Sequence, residues 1–226
     1  MKIIGHRGAL GLAPENTLSS LSKGLEHKID GVEFDLRVTS DNKVILNHDP
    51  FVLDPAGGKL TIKDHTLAEL RAHKPDLATF EEALKVLDQN RLAFIEVKPQ
   101  VPTKQIIQIL KQQLKNGWPS QNLFLLSFSF ETLAKLHKAL PDLPVMVLEK
   151  WSAVRAQHRA RKLDTVYLNM GHRWLWWGLI QLMNSRGWKL HTYTLNNPQK
   201  ASKWAKRGLY GIVTDYPDLF QGHTKA

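Results

Sequence analysis

The 226-residue chain is predicted to fold as one α/β domain, a single (β/α)8 TIM barrel with a β-hairpin and a small insertion after its second strand. Three observations predict it. Short apolar runs alternate with helical patterns throughout, the signature of a parallel sheet covered by helices. The length suits one large α/β barrel, and no linker or low-complexity tract divides residues 1–226. Finally, one of the nine strand candidates cannot be parallel to the one before it, which leaves eight.

In order, the strands are expected at Lys2–His6, Val32–Val38, Val44–His48, Ala93–Lys98, Leu123–Phe128, Val145–Glu149, Thr165–Asn169, Leu190–Leu195 and Gly211–Thr214. Helical patterns fall between most of them, at Thr17–His27, Phe80–Asp88, Thr103–Lys115, Phe130–Ala139, Ala153–Lys162, Trp174–Ser185 and Pro198–Arg207. Only Thr39–Lys43 separate the second and third strands, whereas a parallel crossover needs a dozen residues or more. Val44–His48 must therefore return antiparallel through a turn at Ser40–Lys43. Pro50–Pro75, with Gly57–Gly58 and a helical piece near Leu67–Arg71, forms the insertion, at about residues 50–75.

Composition narrows the function. With 42% hydrophobic and 23% charged residues, this is the make-up of a globular protein. MKIIGHRG lacks a signal-peptide apolar region, and Trp174–Met183 is too short to span a bilayer, so a cytoplasmic location without stable membrane insertion is expected. Zero cysteines exclude disulfides and thiol chemistry. The net charge of +10 is uneven: residues 1–100 hold 13 Lys+Arg and 15 Asp+Glu, residues 101–226 hold 18 and 6. A basic half of this kind can attract nucleic acid, anionic membrane or phosphorylated small molecules. Its dispersed charges form no nucleic-acid motif, so no nucleic-acid partner is expected.

The chemistry starts at VEFDLRV, Val32–Val38. Its period of two places Glu33 and Asp35 on one face. Pairing Thr39 with Val44 would put His48 opposite Asp35, on that same face. In KIIGHRG, His6 and Arg7 follow the first strand at its carboxyl end, where barrel active sites are built. In AFIEVK, Glu96 and Lys98 share a face of a buried run; a structural ion pair and a cation site are both open readings. Ser127 is expected to serve a turn or helix cap, and Asp215 to cap the last helix at Tyr216–Pro217. No glycine-rich phosphate loop, HExxH motif or nucleophile elbow is present. Glu33, Asp35 and Glu96 suit a hard divalent cation, Mg²⁺ or Ca²⁺. His6 and His48 can share general acid–base work, with His48 as acid and His6 as base. Arg7 and Lys98 add fixed positive charge for a phosphate.

These residues carry a resemblance. HRG at His6–Gly8, PENT at Pro14–Thr17, E-x-D at Glu33–Asp35, T-x-D at Thr39–Asp41, HD at His48–Asp49, E-x-K at Glu96–Lys98, SF at Ser127–Phe128 and TD at Thr214–Asp215 resemble, in order and spacing, the glycerophosphodiester phosphodiesterase family. The resemblance implies a metal-dependent barrel hydrolase that takes glycerophosphodiesters to glycerol 3-phosphate and an alcohol. It implies His6 and His48 as the acid–base pair, Glu33, Asp35 and Glu96 as metal ligands, and Arg7 and Lys98 as phosphodiester ligands. Glu15 of PENT and Tyr193, which stands where the family usually carries Trp, join the substrate side. The chain departs from the family at Val52-Leu53-Asp54 after HDP, and at Leu77–Glu82 before the next helix. Two alternatives stand beside this reading. One is a lysophospholipase D-type enzyme on lipid substrates, for which Trp174, Trp176 and Trp177 could lie at an interface, although indoles on an outer barrel helix are expected to pack inward. The other is a non-catalytic phosphate-binding barrel.

Overall fold

A computed structural model describes residues 1–221. Eight parallel strands close into a ring: β1 (Lys2–Gly5), β2 (Gly31–Val38), β6 (Leu92–Val97), β7 (Leu123–Ser127), β8 (Val145–Glu149), β9 (Tyr167–Gly171), β10 (Lys189–Tyr193) and β11 (Gly211–Thr214). β1 closes it, pairing with β11 through Lys2–Gly211 to Gly5–Thr214 and with β2 through Ile4–Gly31 and Gly5–Val32.

β2 is eight residues long and outlasts β1 on its shared edge. The vacated edge is taken by β3 (Val44–Leu46), antiparallel to β2 and outside the ring. The hairpin register is Leu36–Leu46, Arg37–Ile45 and Val38–Val44, one residue away from the expected pairing. Thr39 N donates to Lys43 O, and Asn42 takes a left-handed φ of 62°, so the turn spans five residues where four were expected. The insertion contains a second hairpin, β4 (Phe51–Leu53) with β5 (Lys59–Thr61), and helix α2 (Leu67–His73).

The remaining helices are α1 (Leu18–Glu26), α3 (Phe80–Leu87), α4 (Lys104–Lys115), α5 (Phe130–Ala139), α6 (Ala153–Lys162), α7 (Trp177–Ser185) and α8 (Pro198–Ala205). Short polar side chains start most of them. Thr17, Ser129, Ser152 and Asn197 each accept a backbone N–H of the first turn. Thr66 with Glu69 and Thr79 with Glu82 form reciprocal capping boxes. α7 starts three residues later than expected, because Trp176 is extended and His172–Trp174 forms a separate 3₁₀ turn.

Apolar side chains fill two layers. Ile4, Phe94, Phe124, Leu126, Met146, Leu148 and Val213 pack inside the ring. A larger layer, with Val32, Phe34, Leu36, Ile95 and Leu125 on its sheet side, lies under the helices. β2 thus faces its even-numbered residues outward to the helices and turns Glu33 and Asp35 toward the axis, as the sequence alternation requires.

Candidate active site

One cavity of about 660 Å³ opens at the carboxyl ends of the strands. Its polar side carries His6, Arg7, Glu33, Asp35, His48, Glu96 and Lys98, seven of the nine residues singled out from the sequence. An eighth, Tyr193, lies on the opposite, largely apolar wall with Leu126, Phe128 and Leu148. Its hydroxyl donates to Glu149 O at 3.1 Å, and its ring meets Phe128 edge-on at 6.0 Å. Glu15, the ninth, lies outside the cavity wall and holds Arg7, its Oε2 accepting from the guanidinium at 2.6 Å.

The HRG turn is built for close approach. Arg7 has φ 48° and Gly8 φ 89°, and a Cβ on Gly8 would come within 2.5 Å of the Ser20 backbone on α1. The turn brings Arg7 N to Glu33 Oε2 at 2.9 Å and the Arg7 Nε to 3.4 Å from Asp35 Oδ2. Asn16, fully buried, binds Asp35 twice: its Nδ2 donates to Oδ2 at 2.9 Å, and its Oδ1 accepts the Asp35 N–H at 3.0 Å. The PENT segment therefore fixes both Arg7 and Asp35 while Thr17 starts the helix.

Carboxylate oxygens of Glu33, Asp35 and Glu96 all lie within 4.8 Å of one another, and all three residues are buried. Lys98 Nζ bridges two of them, at 2.5 Å from both Asp35 Oδ1 and Glu96 Oε1. Burial would raise the Asp35 carboxyl, yet Lys98 and Arg7 hold it below the usual range. Burial and the neighbouring Asp35 raise Glu96, and the same two causes push Glu33 up to about 8. Three carboxylates thus face two fixed cations, and Glu33, the one those cations do not compensate, holds its proton unless a further cation replaces it. An all-oxygen set of three carboxylates, net-negative once Glu33 gives up its proton, fits Mg²⁺ or Ca²⁺.

The two histidines reach the cavity differently. His6 follows β1, which stops one residue earlier than expected, with Nδ1 2.6 Å from Asp215 Oδ1 and Nε2 4.0 Å from Glu33 Oε2. Burial disfavours its charged form, but the Asp215 hydrogen bond and the Glu33 charge outweigh it and raise the imidazole above its ordinary value. His48 is not opposite Asp35, as the expected register had it. Asn47 N donates to Asp35 O, β3 has already ended at Leu46, and His48 enters the cavity from the loop beyond. Arg37 clamps that loop by donating to His48 O at 2.7 Å, and Asp49 Oδ1 lies 2.9 Å from His48 Nδ1. Burial and Lys98 lower the His48 imidazole.

Asp215, behind His6, and two lining residues have roles that the sequence did not show. Asp215 does not cap the final 3₁₀ turn; it holds His6 and accepts from Asn196 Nδ2 at 2.7 Å. Asp49, the second residue of the HD pair, lines the cavity beside His48. Asn169 also lines it, 2% exposed, with Oδ1 lacking a hydrogen-bond partner among the described residues. The signal for Asn169 was a polar residue inside the apolar run YLNMG. Ser127 behaves as expected, donating to Val97 O and accepting Ser129 N at the strand's end.

Comparison with known proteins agrees with this geometry. The profile of the Glycerophosphoryl diester phosphodiesterase family matches residues 6–219. A glycerophosphodiester phosphodiesterase of Bacillus subtilis is 32% identical over 96% of this chain and 84% of its own length. A phosphodiesterase of Oleispira antarctica, solved in complex with the product sn-glycerol-3-phosphate, superposes with a TM-score of 0.86 at 25% identity, covering 100% of this chain and 97% of its own. A mouse lysophospholipase D is 22% identical over 95% of this chain and 83% of its own length.

Proposed function

The chain belongs to the glycerophosphoryl diester phosphodiesterase family and is a phosphodiesterase that hydrolyses glycerophosphodiesters, and on that footing we propose how its residues divide the work. The observation that carries the proposal is the buried Glu33–Asp35–Glu96 cluster, flanked in one cavity by two histidines and two fixed cations. Glu33, Asp35 and Glu96 would hold one divalent cation, Mg²⁺ or Ca²⁺, which when bound supplies positive charge to the non-bridging phosphoryl oxygens.

Arg7 and Lys98 bind the phosphodiester from the same wall, with Glu15 setting the Arg7 guanidinium. His6 and His48 perform the proton transfers: one takes the nucleophile's proton, the other gives one to the departing alkoxide. Each has Nδ1 engaged by a carboxylate, Asp215 or Asp49, which directs the reactive role to Nε2. The surroundings bias their order. Asp215 and Glu33 favour the imidazolium at His6, while burial and Lys98 favour neutral imidazole at His48. We assign proton donation to His6 and acceptance to His48, the reverse of the order expected from the sequence. Tyr193 and Phe128 shape the wall that receives the alcohol.

The test is to incubate the chain with a panel of glycerophosphodiesters in Mg²⁺, Ca²⁺ or chelator and assay both products. Equal release of glycerol 3-phosphate and free alcohol, lost in chelator, is expected. Release of glycerol with a phosphorylated alcohol would overturn the side of cleavage. A second reading, lysophospholipase D-type hydrolysis, is favoured by the apolar wall of Leu126, Phe128 and Leu148, and lysophospholipids belong in the same panel.

A further inference from the structure

The chain's seven tryptophans fall into two groups. Trp118, Trp188 and Trp204 are buried, whereas Trp151 is 57% exposed and Trp174, Trp176 and Trp177 are each 59% exposed. An indole left in water forfeits a large apolar burial, and a single exposed case needs no explanation. Four in two neighbouring loops are another matter. Trp151 stands in the loop after β8, with Val154, 78% exposed, just beyond it at the start of α6. The other three lie after β9, the neighbouring strand. The two loops abut: a Cβ on Gly171 at the end of β9 would come within 2.7 Å of Lys150 O. Lys150 itself lines the cavity, so Trp151, next to it, and the start of the loop after β9 border the active-site mouth.

The patch has a fixed shape. Trp176 and Trp177 meet edge-to-face, with centroids 6.2 Å apart and planes at 87°. The Trp176 ring folds back over Gly178, where a Cβ would come within 1.9 Å of it and displace the ring. Arg207 stacks over Trp177 at 5.3 Å. α7 also breaks the usual one-sided pattern, burying Ile180 and Met183 while exposing Trp177 and Leu182.

Charge identifies the occupant. Between Glu149 and Asp215 the only acid is Asp164, against twelve Lys and Arg. Among the described residues, neither Arg173, inside the indole cluster, nor Lys150, at the mouth, has an acidic partner within 4.0 Å. A second copy docked on this face by a two-fold axis would set like charges against each other. Anionic lipid offers the complement: tryptophan is favoured at the headgroup level, and basic side chains are drawn to the negative surface beneath it. No helix among the described residues is long and apolar enough to cross a membrane, so the contact is peripheral. We propose that the Trp151 and Trp174–Trp177 loops dock this chain onto an anionic lipid surface with the cavity mouth beside it. The proposal goes beyond the hydrolytic reading and is tested without turnover.

The full chain is sedimented with vesicles of phosphatidylcholine alone or mixed with phosphatidylglycerol, and tryptophan emission is followed in parallel. Binding is expected to the mixed vesicles only, with a blue shift and release by high salt. The triple change Trp174→Ser, Trp176→Ser and Trp177→Ser is expected to weaken partitioning at least tenfold. Arg173→Glu alone, which keeps the apolar packing intact, is expected to weaken it about fivefold or more. Both variants should retain normal turnover of a water-soluble diester, since none of these residues lines the cavity. No partitioning onto the mixed vesicles would overturn the proposal, as would equal partitioning onto phosphatidylcholine alone or full partitioning by both variants. Dimerisation in solution that the triple change abolishes would also overturn it, assigning the face to a second copy.

Discussion

His6 Nδ1 and Asp215 Oδ1 lie 2.6 Å apart across 209 positions of sequence, because β1 and β11 are neighbours in the closed ring. Asp215 raises the His6 imidazole, and His6 with Asn196 lowers the Asp215 carboxyl against the opposing effect of burial. The signs define a window. A raised imidazole stabilises the fold fully below its unfolded value of about 6.5 and loses that contribution as pH rises through the folded value. A lowered carboxyl contributes fully above about 3.9 and loses it as pH falls through its folded value. The pair should therefore stabilise most between about pH 4 and 6.5. Asp215→Asn should lower the His6 pKa, read by NMR titration of the ring, and move the His6 limb of the pH–rate profile to lower pH. An unshifted His6 titration would refute the coupling.

His6→Ala and His48→Ala should each lower turnover of a natural diester by about 10²- to 10⁴-fold, and the parent profile should be bell-shaped. A nitrophenyl diester, whose leaving group needs little protonation, distinguishes the roles. The donor's variant should recover most of its loss on that substrate, and His6→Ala is expected to be that variant. Recovery by His48→Ala instead would restore the order read from the sequence.

Cation affinity should depend on pH through Glu33. Its carboxyl, pushed up to about 8, binds a proton at neutral pH in competition with a cation. Calorimetric titration with Mg²⁺ or Ca²⁺ should show proton release, and affinity should fall by up to about tenfold per pH unit below 8. Glu33→Gln should weaken binding and leave thermal stability near the parent's. A pH-independent affinity would argue against a protonated Glu33.

Glu149 gives a prediction away from the chemistry. Its buried carboxylate accepts from Arg155 at 2.6 and 2.7 Å and from the Lys150 and Trp151 amides. Glu149→Ala leaves those amides unpaired and should cost about 2–3 kcal/mol, roughly 4–12 °C in Tm. Differential scanning calorimetry checks this, and kcat per folded molecule should change little, because Glu149 does not line the cavity and its bond to Tyr193 is made by the backbone O.

Most of the barrel was legible because each strand and helix advertises its own period. The VEFDLRV alternation fixed which way Glu33 and Asp35 point, and the five residues before Val44 required a return strand. What failed depended on geometry that no local pattern contains. The hairpin register turned on the left-handed φ of Asn42, which lengthened the turn by one residue and moved His48 off the strand. Asp215 looked like a helix cap because its real partner belongs to the first strand. The indoles after β9 follow the pattern of a packed helix, but α7 begins only at Trp177 and all three are exposed.

The closure of the ring makes one seam of the sheet decisive for one histidine. His6 follows β1 and its partner Asp215 follows β11, whereas Glu33, Asp35 and Glu96 sit on the separately paired β2 and β6. Parting β1 from β11 would therefore break the hydrogen bond that raises His6 while the pairing that aligns the carboxylates stays in place.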